Sequence, residues 1–383
     1  MAIDPLDTTG DPKIALALSG GGVRAVAFHA GVLRWLAEKN LLDKVVHVSS
    51  VSGGSLMVGL VFQLSECQWP SLEHYLSAVA PDIRTLLTTK SLQFDMFLRL
   101  MNPLNWRYVL SRANILAKSI RSVWNVSGTL GQFAENPVWS INGTTAENGR
   151  RFRFKAGTMG DYETGYARAN DFEAAAAMAI SAAFPGGIGP LRIDTGSFKW
   201  LKRDGWDSQL QEQEIEPPHP YLHVYDGGVY DNLGMETLFD MGKQAFKTEL
   251  TVPMNFMILS DAGMSYSRKK IPGPLNLRRF ERIADIMSDQ TRALRIRSFV
   301  NFLTKNQGSG MYLQIGSSPL QCIKTYARAH TVDSLLAAHR WFSAEEAKKA
   351  AGYRTSLRVM DPADYDKIEE HGYQTALWNG LVF

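Results

Sequence analysis

A glycine run between an apolar segment and an amphipathic segment constrains the fold of this chain more than any other feature. Residues 13–18 (Lys-Ile-Ala-Leu-Ala-Leu) are predicted to form a buried strand, and Ala25 to Lys39 show the apolar periodicity of a helix. The segment Ser19-Gly20-Gly21-Gly22-Val23-Arg24 joins them. Such a turn presents backbone N–H groups beside a helix N-terminus, where negative charge is stabilised.

Three interpretations of the glycine run are open. The Walker pattern ends in Gly-Lys-Ser/Thr, and the dinucleotide fingerprint is G-x-G-x-x-G with an acidic residue about 20 positions later. Neither pattern occurs here. Binding of an anion or oxyanion is therefore favoured over nucleotide binding, and a tight turn without a ligand is the third interpretation.

A second strand-to-helix turn carries a serine. Residues 45–49 are predicted to form a strand and Ser55 to Gln63 a buried helix, so the turn is Ser50-Val51-Ser52-Gly53-Gly54. A nucleophile elbow needs small residues two positions before and after its serine, because strand and helix nearly touch there. Gly54 meets this requirement, and Ser50 is small although the usual residue is glycine. We predict Ser52 as a nucleophile, with a serine-rich helix N-cap as the alternative.

An aspartate ends a later predicted strand. Residues 221–225 are predicted to form this strand, Asp226-Gly227-Gly228 follows it, and Met235 to Met241 are predicted to form a helix. The carboxyl end of a strand in an α/β sheet lies at the edge where ligands usually bind. Asp226 is therefore a candidate base, and an ordinary Asp-Gly-Gly turn is the alternative.

Together, these motifs resemble those of the patatin-like phospholipase family, which has G-G-G-x-R, G-x-S-x-G and D-G-G/A in this order. Gly20 to Arg24 match the first motif, Ser50 to Gly54 match the second except at Ser50, and Asp226 to Gly228 match the third. Ser181-Ala182-Ala183-Phe184-Pro185 resembles a Ser-Ala-x-x-Pro segment that packs near the family's active site. The resemblance extends in blocks over residues 12 to 265.

The resemblance implies a patatin-like three-layer α/β/α sandwich with a mainly parallel sheet. The predicted strands at 13–18, 45–49, 221–225 and 255–260 alternate with helices, as in βαβ units. It also implies a serine hydrolase, a phospholipase A or lipid acyl hydrolase, which cleaves acyl esters of glycerophospholipids or related lipids. The resemblance implies Ser52 as nucleophile, Asp226 as base, and Gly20, Gly21 and Gly22 as oxyanion hole. The implied supporting residues are Arg24, Gly53, Gly54, Gly227 and Gly228. Arg24 is expected near the oxyanion hole or near a lipid phosphate.

The chemistry of these residue types agrees with such a dyad. A serine hydroxyl needs a hydrogen-bonded base, and a carboxylate is a useful base only if burial raises its pKa. A Ser-Asp-His triad completed by His330, His339 or His371 remains an alternative mechanism. A lipid acyltransferase with the same acyl-enzyme and a catalytically silent lipid-binding or ligand-binding protein are the alternative functions.

Length and composition favour a large α/β protein. With 383 residues, 45% of them apolar, we expect one catalytic domain over residues 12–383, with a helical insertion at 82–150 and a C-terminal helical extension from residue 320. A formal net charge of +3 does not indicate nucleic-acid binding, and two cysteines do not indicate a disulfide framework. No metal-ligand spacing is recognisable, so we expect no metal and no cofactor.

The sequence predicts a cytoplasmic protein, with peripheral membrane attachment or signal-independent export as alternatives. Neither an apolar signal-peptide core nor an apolar run of 18 residues is evident. The oligomeric state has no sequence signal.

Two basic segments are candidate contact surfaces. From Lys90 to Trp124, aromatic and apolar residues mix with arginines and lysines, and Asp95 is the only acidic residue. A basic, aromatic helix is attracted to anionic lipid surfaces, so we predict membrane or substrate contacts by Trp106, Arg107 and Arg112, with a cap helix packed on the core as the alternative. Residues 268–305 are predicted to bind a regulatory anion or nucleotide or to form a helix docked on the sheet, and carry Arg278, Arg279, Arg282, Arg292, Arg295 and Arg297.

Overall fold

The computed structural model describes residues 11–203, 213–263, 273, 276 and 278–382, and gives only the backbone at 278–281, 284 and 285. Within these residues, twelve strands form one mixed sheet. A separate hairpin consists of β11 and β12. The strands are β1 (Ile14–Leu18), β2 (Val45–Ser50), β3 (Val138–Thr145), β4 (Arg151–Lys155), β5 (Thr158–Asp161), β6 (Gly165–Arg168), β7 (Leu191–Asp194), β8 (Trp200–Leu201), β9 (Glu214–Ile215), β10 (Tyr221–Asp226), β11 (Phe239–Asp240), β12 (Ala245–Phe246), β13 (Phe256–Asp261) and β14 (Gly310–Gln314).

Helices flank the sheet on both faces. Short 3-10 helices include Pro103–Tyr108 and Met235–Thr237, and a π-helical turn spans Tyr75–Val79. The described α-helices are α1 (Gly22–Glu38), α2 (Gly53–Leu64), α3 (Leu72–His74), α4 (Ala80–Thr89), α5 (Leu92–Met101), α6 (Ala113–Val123), α7 (Ala174–Ser181), α8 (Gly228–Asp231), α9 (Arg278–Lys305), α10 (Pro319–Tyr326), α11 (Val332–Ala338), α12 (Ala344–Ala351) and α13 (Pro362–Val382).

Strand β1 lies between two cores because alternate side chains of a strand point to opposite faces. Ile14, Leu16 and Leu18 join the larger core, to which α1, α2 and α13 also contribute. Ala15 and Ala17 join a smaller core on the other face, which includes Phe299 and Phe302 of α9. The expected three-layer α/β/α sandwich is therefore confirmed.

The sheet has a parallel part and an antiparallel part. Strands β14, β13, β1, β2 and β3 are parallel neighbours in this order. Beyond β3 the pairs are antiparallel, and β10 also pairs with β3 in the antiparallel sense. The prediction of a strand at 221–225 is thus correct, but its placement in a parallel βαβ unit is wrong.

Strands β2 and β10 meet end to end on one edge of β3. Residues 138–141 of β3 pair with β2, residues 143–145 pair with β10, and β4 overlaps both stretches from the opposite edge. In this register Ser50 is opposite Ile141, and Asp226 is opposite Gly143. The carboxyl ends of β2 and β10 are therefore only two β3 residues apart, about 7 Å along the strand.

The predicted helix at Met235–Met241 is wrong. Only a 3-10 helix forms, over Met235–Thr237, before the β11–β12 hairpin. The Asp240 carboxylate accepts the N–H groups of Gly242 and Lys243, which turns the chain, while Phe239 packs against buried aromatic rings of α9. Tertiary packing and an aspartate turn outweigh the helical pattern at this point.

Residues 82–150 are only partly helical. Helices α5 and α6 and a 3-10 helix occupy 92–123, but β3 at 138–145 is a central strand, so a helical insertion does not extend to residue 150. The inner face of α6 is buried through Ile115, Leu116 and Ile120, as a packed cap helix requires. Helix α5, in contrast, exposes most of its apolar side chains.

The C-terminal helices occupy the range from residue 320, where the sequence predicts a helical extension. Helix α13 packs along α1 and contributes Leu377 and Trp378 to the larger core, and the single-domain organisation stays a prediction. None of the described helices combines the length and apolar character needed to cross a bilayer. Cys67 and Cys322 are both free thiols.

Two glycines allow α1 and α13 to touch along their backbones. A Cβ atom at Gly31 would lie 1.8 Å from the Glu369 carbonyl oxygen, and one at Gly372 would lie 2.0 Å from the Phe28 carbonyl oxygen. Contacts this short cannot be relieved by side-chain rotation, because the obstructing atoms belong to the backbone.

We predict that Gly372→Ala separates α1 from α13 and lowers the free energy of unfolding by about 1–3 kcal/mol, despite the higher helix propensity of alanine. Urea unfolding measures the change. Gly187→Ala is the matched control, since its Cβ would have no neighbour closer than 3.8 Å. Equal stability of both variants would contradict close packing of the two helices.

Candidate active site

Ser52 lies on a strained turn between β2 and α2. It is the N-cap of α2 and has φ 51° and ψ −118°, a conformation that non-glycine residues rarely adopt. A Cβ at Gly54 would lie 2.4 Å from the Leu18 carbonyl oxygen, so only glycine fits there. The Ser52 side chain is partly exposed. This is the geometry of a nucleophile elbow.

Asp226 is buried beside Ser52. The Ser52 hydroxyl lies close enough to the Asp226 carboxylate to affect its pKa, and the Gly228 N–H donates to Asp226 Oδ1 at 2.7 Å. Burial raises the pKa of Asp226 to about 7, although the Gly228 N–H and the Ser52 hydroxyl act to lower it. A carboxylate of this kind has a proton affinity suited to a general base near neutral pH.

The glycine turn is packed against Ser52. A Cβ at Gly20 would lie 3.0 Å from Ser52 Cβ, and a Cβ at Gly53 would lie 2.4 Å from the Gly22 carbonyl oxygen. Gly21 and Gly22 have φ values of 154° and 61°, so the turn depends on glycine at both positions. The predicted proximity of the turn to the serine is therefore present in the structure.

The glycine amides are not equivalent. The Gly20 N–H already donates to the Asn232 carbonyl oxygen at 3.1 Å, which contradicts its predicted place in an oxyanion hole. Within the described part of the chain, the N–H groups of Gly21, Gly22 and Gly53 have no acceptor. Because the residue after the nucleophile often supplies an oxyanion donor, Gly53 joins Gly21 and Gly22 as a candidate.

The Ser-Ala-Ala-Phe-Pro segment connects Ser52 with Asp226. The Ser52 N–H donates to Ser181 Oγ at 3.0 Å, and Ser181 Oγ donates to the Asn142 carbonyl oxygen at 2.7 Å. Two residues later, the Ala183 carbonyl oxygen accepts the Asp226 N–H at 3.2 Å. This segment therefore fixes the backbone of both residues.

Ser50, which replaces the usual glycine, is part of a hydrogen-bond chain below the elbow. Trp139 Nε1 donates to Ser50 Oγ at 2.9 Å, Ser50 Oγ lies 2.9 Å from Ser55 Oγ, and Ser55 Oγ lies 2.8 Å from Ser181 Oγ. Ser50 and Ser55 are buried and occupied by these bonds. Neither serine is placed to compete with Ser52 as a nucleophile.

A model of the patatin-like phospholipase family matches residues 16–239, which is more than half of the chain. The chain belongs to this family. No curated protein matches it in sequence.

Several solved structures resemble the chain. Human GIVD cytosolic phospholipase A2 has a TM-score of 0.51 and 14% identity, covering 97% of this chain and 60% of that chain. The same protein in complex with methyl gamma-linolenyl fluorophosphonate has a TM-score of 0.46 and 15% identity, covering 97% and 58%. VipD from Legionella pneumophila has a TM-score of 0.37 and 13% identity, covering 96% and 66%. The first of these confirms the patatin-like fold, and this chain spans only 60% of that protein's length.

Arg24 of the patatin-like G-G-G-x-R motif is a buried positioning residue. Its Nε and Nη2 donate to the Ala262 carbonyl oxygen at 3.2 and 2.9 Å, and its Nη1 donates to the carbonyl oxygens of Ala351 and Tyr353 at 3.2 and 2.7 Å. The guanidinium is thus enclosed by backbone oxygens. The predicted contact of Arg24 with a lipid phosphate is therefore wrong.

The structure gives His371 of the alternative triad another role. His371 Nε2 accepts the Gly316 N–H at 2.9 Å, its ring stacks on Phe342, and burial lowers the pKa of His371 to about 4. His330 and His339 are exposed. The proximity of Ser52 to the buried Asp226 carboxylate therefore favours a dyad.

Two arginines of α9 are engaged in internal ion pairs. Arg292 pairs with buried Asp261, and Arg295 contacts Glu236 at 2.7 Å and Asp231 at 3.5 Å. The Arg295 bonds attach α9 to the segment that follows Asp226, and the Arg292 bond attaches α9 to the end of β13. Binding of a regulatory anion or nucleotide stays a prediction. Of the other predicted arginines, Arg297 donates to the Ala293 carbonyl oxygen, whereas Arg268 and the side chains of Arg278 and Arg279 lie outside the described residues.

Sequence reasoning missed two residues that border the site. A Cβ at Gly20 or Gly228 would lie 2.4 or 2.8 Å from Asn232 Oδ1, so Asn232 separates the two glycine segments. Its position six residues after Asp226 is the signal that could have identified it. Ser356 contacts the glycine turn from the C-terminal region, and its carbonyl oxygen accepts the Val23 N–H at 3.0 Å. No local sequence pattern marks Ser356.

We predict that Asp226→Asn stabilises the protein above pH 7. Burial raises the pKa of Asp226 from 3.8 to about 7, so the native state binds this proton more tightly than the unfolded state does. The native protein consequently loses stability as the pH rises through that interval. Asparagine removes the ionisation, and the gain in free energy of unfolding should shrink as the pH falls towards 3.8.

Urea unfolding at several pH values measures this effect. Asp240→Asn is the control, because the N–H groups of Lys243 and Gly242 lower the pKa of Asp240. It should show no gain at high pH. A gain for Asp226→Asn that is independent of pH would show that Asp226 does not titrate in this interval.

Proposed function

We propose that this chain hydrolyses acyl esters of glycerophospholipids or related lipids through a Ser52–Asp226 dyad. One observation carries the proposal: a serine on a strained elbow lies beside a buried carboxylate whose pKa is raised to about 7. Membership of the patatin-like phospholipase family supports lipid acyl hydrolysis. The lipid class and the specific phospholipase A activity are parts of the proposal.

The first half of the reaction forms an acyl-enzyme. Ser52 Oγ attacks the ester carbonyl carbon while its proton passes to Asp226. The tetrahedral intermediate then collapses, the bond to the alcohol oxygen breaks, and Asp226 returns the proton to the leaving lysolipid or alcohol. The acyl group remains on Ser52.

The second half of the reaction regenerates the enzyme. Asp226 takes a proton from a water molecule, whose oxygen attacks the acyl carbon. Collapse of this intermediate releases the fatty acid, and the proton on Asp226 returns to Ser52 Oγ. No histidine is needed, because the same carboxylate transfers the proton in both halves.

The negative charge of each intermediate develops beside two helix N-termini. Gly21 and Gly22 lie at the start of α1 and Gly53 at the start of α2, where N–H groups and the helix dipoles stabilise an anion. A preorganised donor of this kind typically lowers the barrier by about 2.7–4 kcal/mol. The fixed glycine conformations keep these donors in place before the substrate binds.

We predict that Ser52→Ala lowers esterase activity by at least about 10³-fold and that Asp226→Asn lowers it by about 10²–10⁴-fold, because each removes half of the dyad. Activity on a short-chain ester and labelling by a fluorophosphonate measure the two effects. His330→Ala and His339→Ala are the controls and should retain activity. A label mapped to another serine, or a comparable loss in a folded histidine variant, would overturn the dyad.

The pH dependence of kcat/KM provides a further prediction. Asp226 accepts a proton only when it is ionised, so activity should rise with pH and level off above about pH 7. Below the pKa, kcat/KM should fall about tenfold per pH unit. A profile that stays flat down to pH 5 in the folded protein would exclude Asp226, with this pKa, as the base.

A further inference from the structure

The chain exposes a contiguous apolar surface at α5 and the turn after it. Phe94, Phe97, Leu98 and Met101 recur at helical spacing on the outer side of α5, and each is at least half exposed. The adjoining 3-10 helix and loop continue this surface. We call this surface the apolar face; its members are Phe94, Phe97, Leu98, Met101, Leu104, Trp106 and Leu110. Leu104 and Leu110 are 80% and 85% exposed.

Hydrogen bonds hold the apolar face in a defined conformation. Ser91 caps α5 by accepting the Phe94 N–H, and Arg99 bridges Asp95 on α5 and Ser122 on α6. Trp106 Nε1 donates to the Leu100 carbonyl oxygen at 3.0 Å, which fixes the turn while the indole ring stays 62% exposed. The exposed side chains therefore project from a braced scaffold.

The apolar face is connected to the wall of the dyad. The Arg112 N–H donates to the Ile188 carbonyl oxygen at 2.7 Å, and its Nη1 contacts the Gly187 carbonyl oxygen at 3.3 Å. Residues 184–189 directly follow Ala183, whose carbonyl oxygen accepts the Asp226 N–H. Phe184 in this loop is 63% exposed. A surface or molecule bound to the apolar face would therefore lie next to the segment that orients Ser52 and Asp226.

The charged residues around the apolar face indicate which kind of binding partner it favours. Arg107 lies 4.8 Å from the centre of the Tyr108 ring and Lys118 Nζ lies 5.0 Å from it. Asp95, the only acidic residue from 90 to 124, is paired with Arg99 at 2.6 Å. Exposed leucine and phenylalanine beside tryptophan, tyrosine and cations are typical of a helix that lies in a lipid interface.

We propose that the apolar face inserts into an anionic lipid surface, with Arg107 contacting headgroups, and thereby places the dyad at that surface. The catalytic role of this docking rests on the proposed lipid hydrolysis, whereas the exposed apolar face does not depend on it. The proposal revises the predicted contacts. Trp106 and Arg107 remain, whereas Arg112 is a structural residue that donates to the Val109 and Gly187 carbonyl oxygens.

Binding is tested in the Ser52→Ala protein, so that the lipid stays intact. Leu104→Glu with Leu110→Glu removes two exposed apolar groups and adds two negative charges, without disturbing the core. Flotation with vesicles of phosphatidylcholine and phosphatidylglycerol should show at least about tenfold weaker binding. Met287→Glu is the matched control, because Met287 is apolar and 65% exposed on α9. It should bind as the parent protein does.

Arg107→Glu separates the headgroup contact from apolar insertion. It should weaken binding to vesicles that contain phosphatidylglycerol more than binding to pure phosphatidylcholine, and salt should reduce the difference. Undiminished binding of the double leucine variant, or an equal loss for Met287→Glu, would overturn the proposal and point to a protein partner or to nonspecific adsorption.

Activity in the Ser52 protein provides an independent readout. The ratio of activity on vesicles to activity on a soluble short-chain ester should fall in the double leucine variant by about the same factor as vesicle binding. An equal loss on both substrates would show that the face supports the site and does not dock. If the parent protein hydrolyses neither substrate, the proposed function fails, whereas vesicle binding still decides the docking proposal.

Discussion

Strand β3 carries the site, because β2 and β10 bind the same edge of it from opposite directions. Ser52 and Asp226 are far apart in sequence, yet Ser50 pairs with Ile141 and Asp226 pairs with Gly143. Backbone hydrogen bonds set this register, and a shift of one residue would turn each side chain to the other face of the sheet. The Ser181 segment then fixes the Ser52 and Asp226 backbones from one side. The proximity of the two side chains is thus a consequence of sheet topology.

Burial of Asp226 links the stability of the chain to its chemistry. A carboxylate in water would have too low a pKa to take a serine proton, and an arginine beside it would lower the pKa further. The partners of Asp226 are instead the Ser52 hydroxyl and the Gly228 N–H, so burial determines the direction of the shift. Ionisation of such a group opposes folding, and the remainder of the core must offset that cost.

The parts of the site that the sequence predicted correctly are local. Each of the turns at Gly20–Gly22 and Ser52 is flanked by a strand and a helix, so its pattern is complete within about 25 residues. The errors concern long-range partners. The Gly20 amide binds Asn232, Arg24 is enclosed by distant carbonyl oxygens, and β10 takes its direction from β3. No local periodicity encodes such contacts, since they depend on which segments meet in the folded chain.

The bonds of Arg24 show that the site depends on residues beyond the stretch that matches the family. That match ends at residue 239, whereas the guanidinium donates to the carbonyl oxygens of Ala262, Ala351 and Tyr353. The Ser356 carbonyl oxygen accepts the Val23 N–H, and the next carbonyl oxygen, of Leu357, accepts the N–H of Gln93 at the start of α5. One short segment therefore contacts both the glycine turn and the helix that carries the apolar face. The C-terminal region is a structural part of the oxyanion turn, because without these oxygens the buried guanidinium would lack acceptors and α1 would lose a cap.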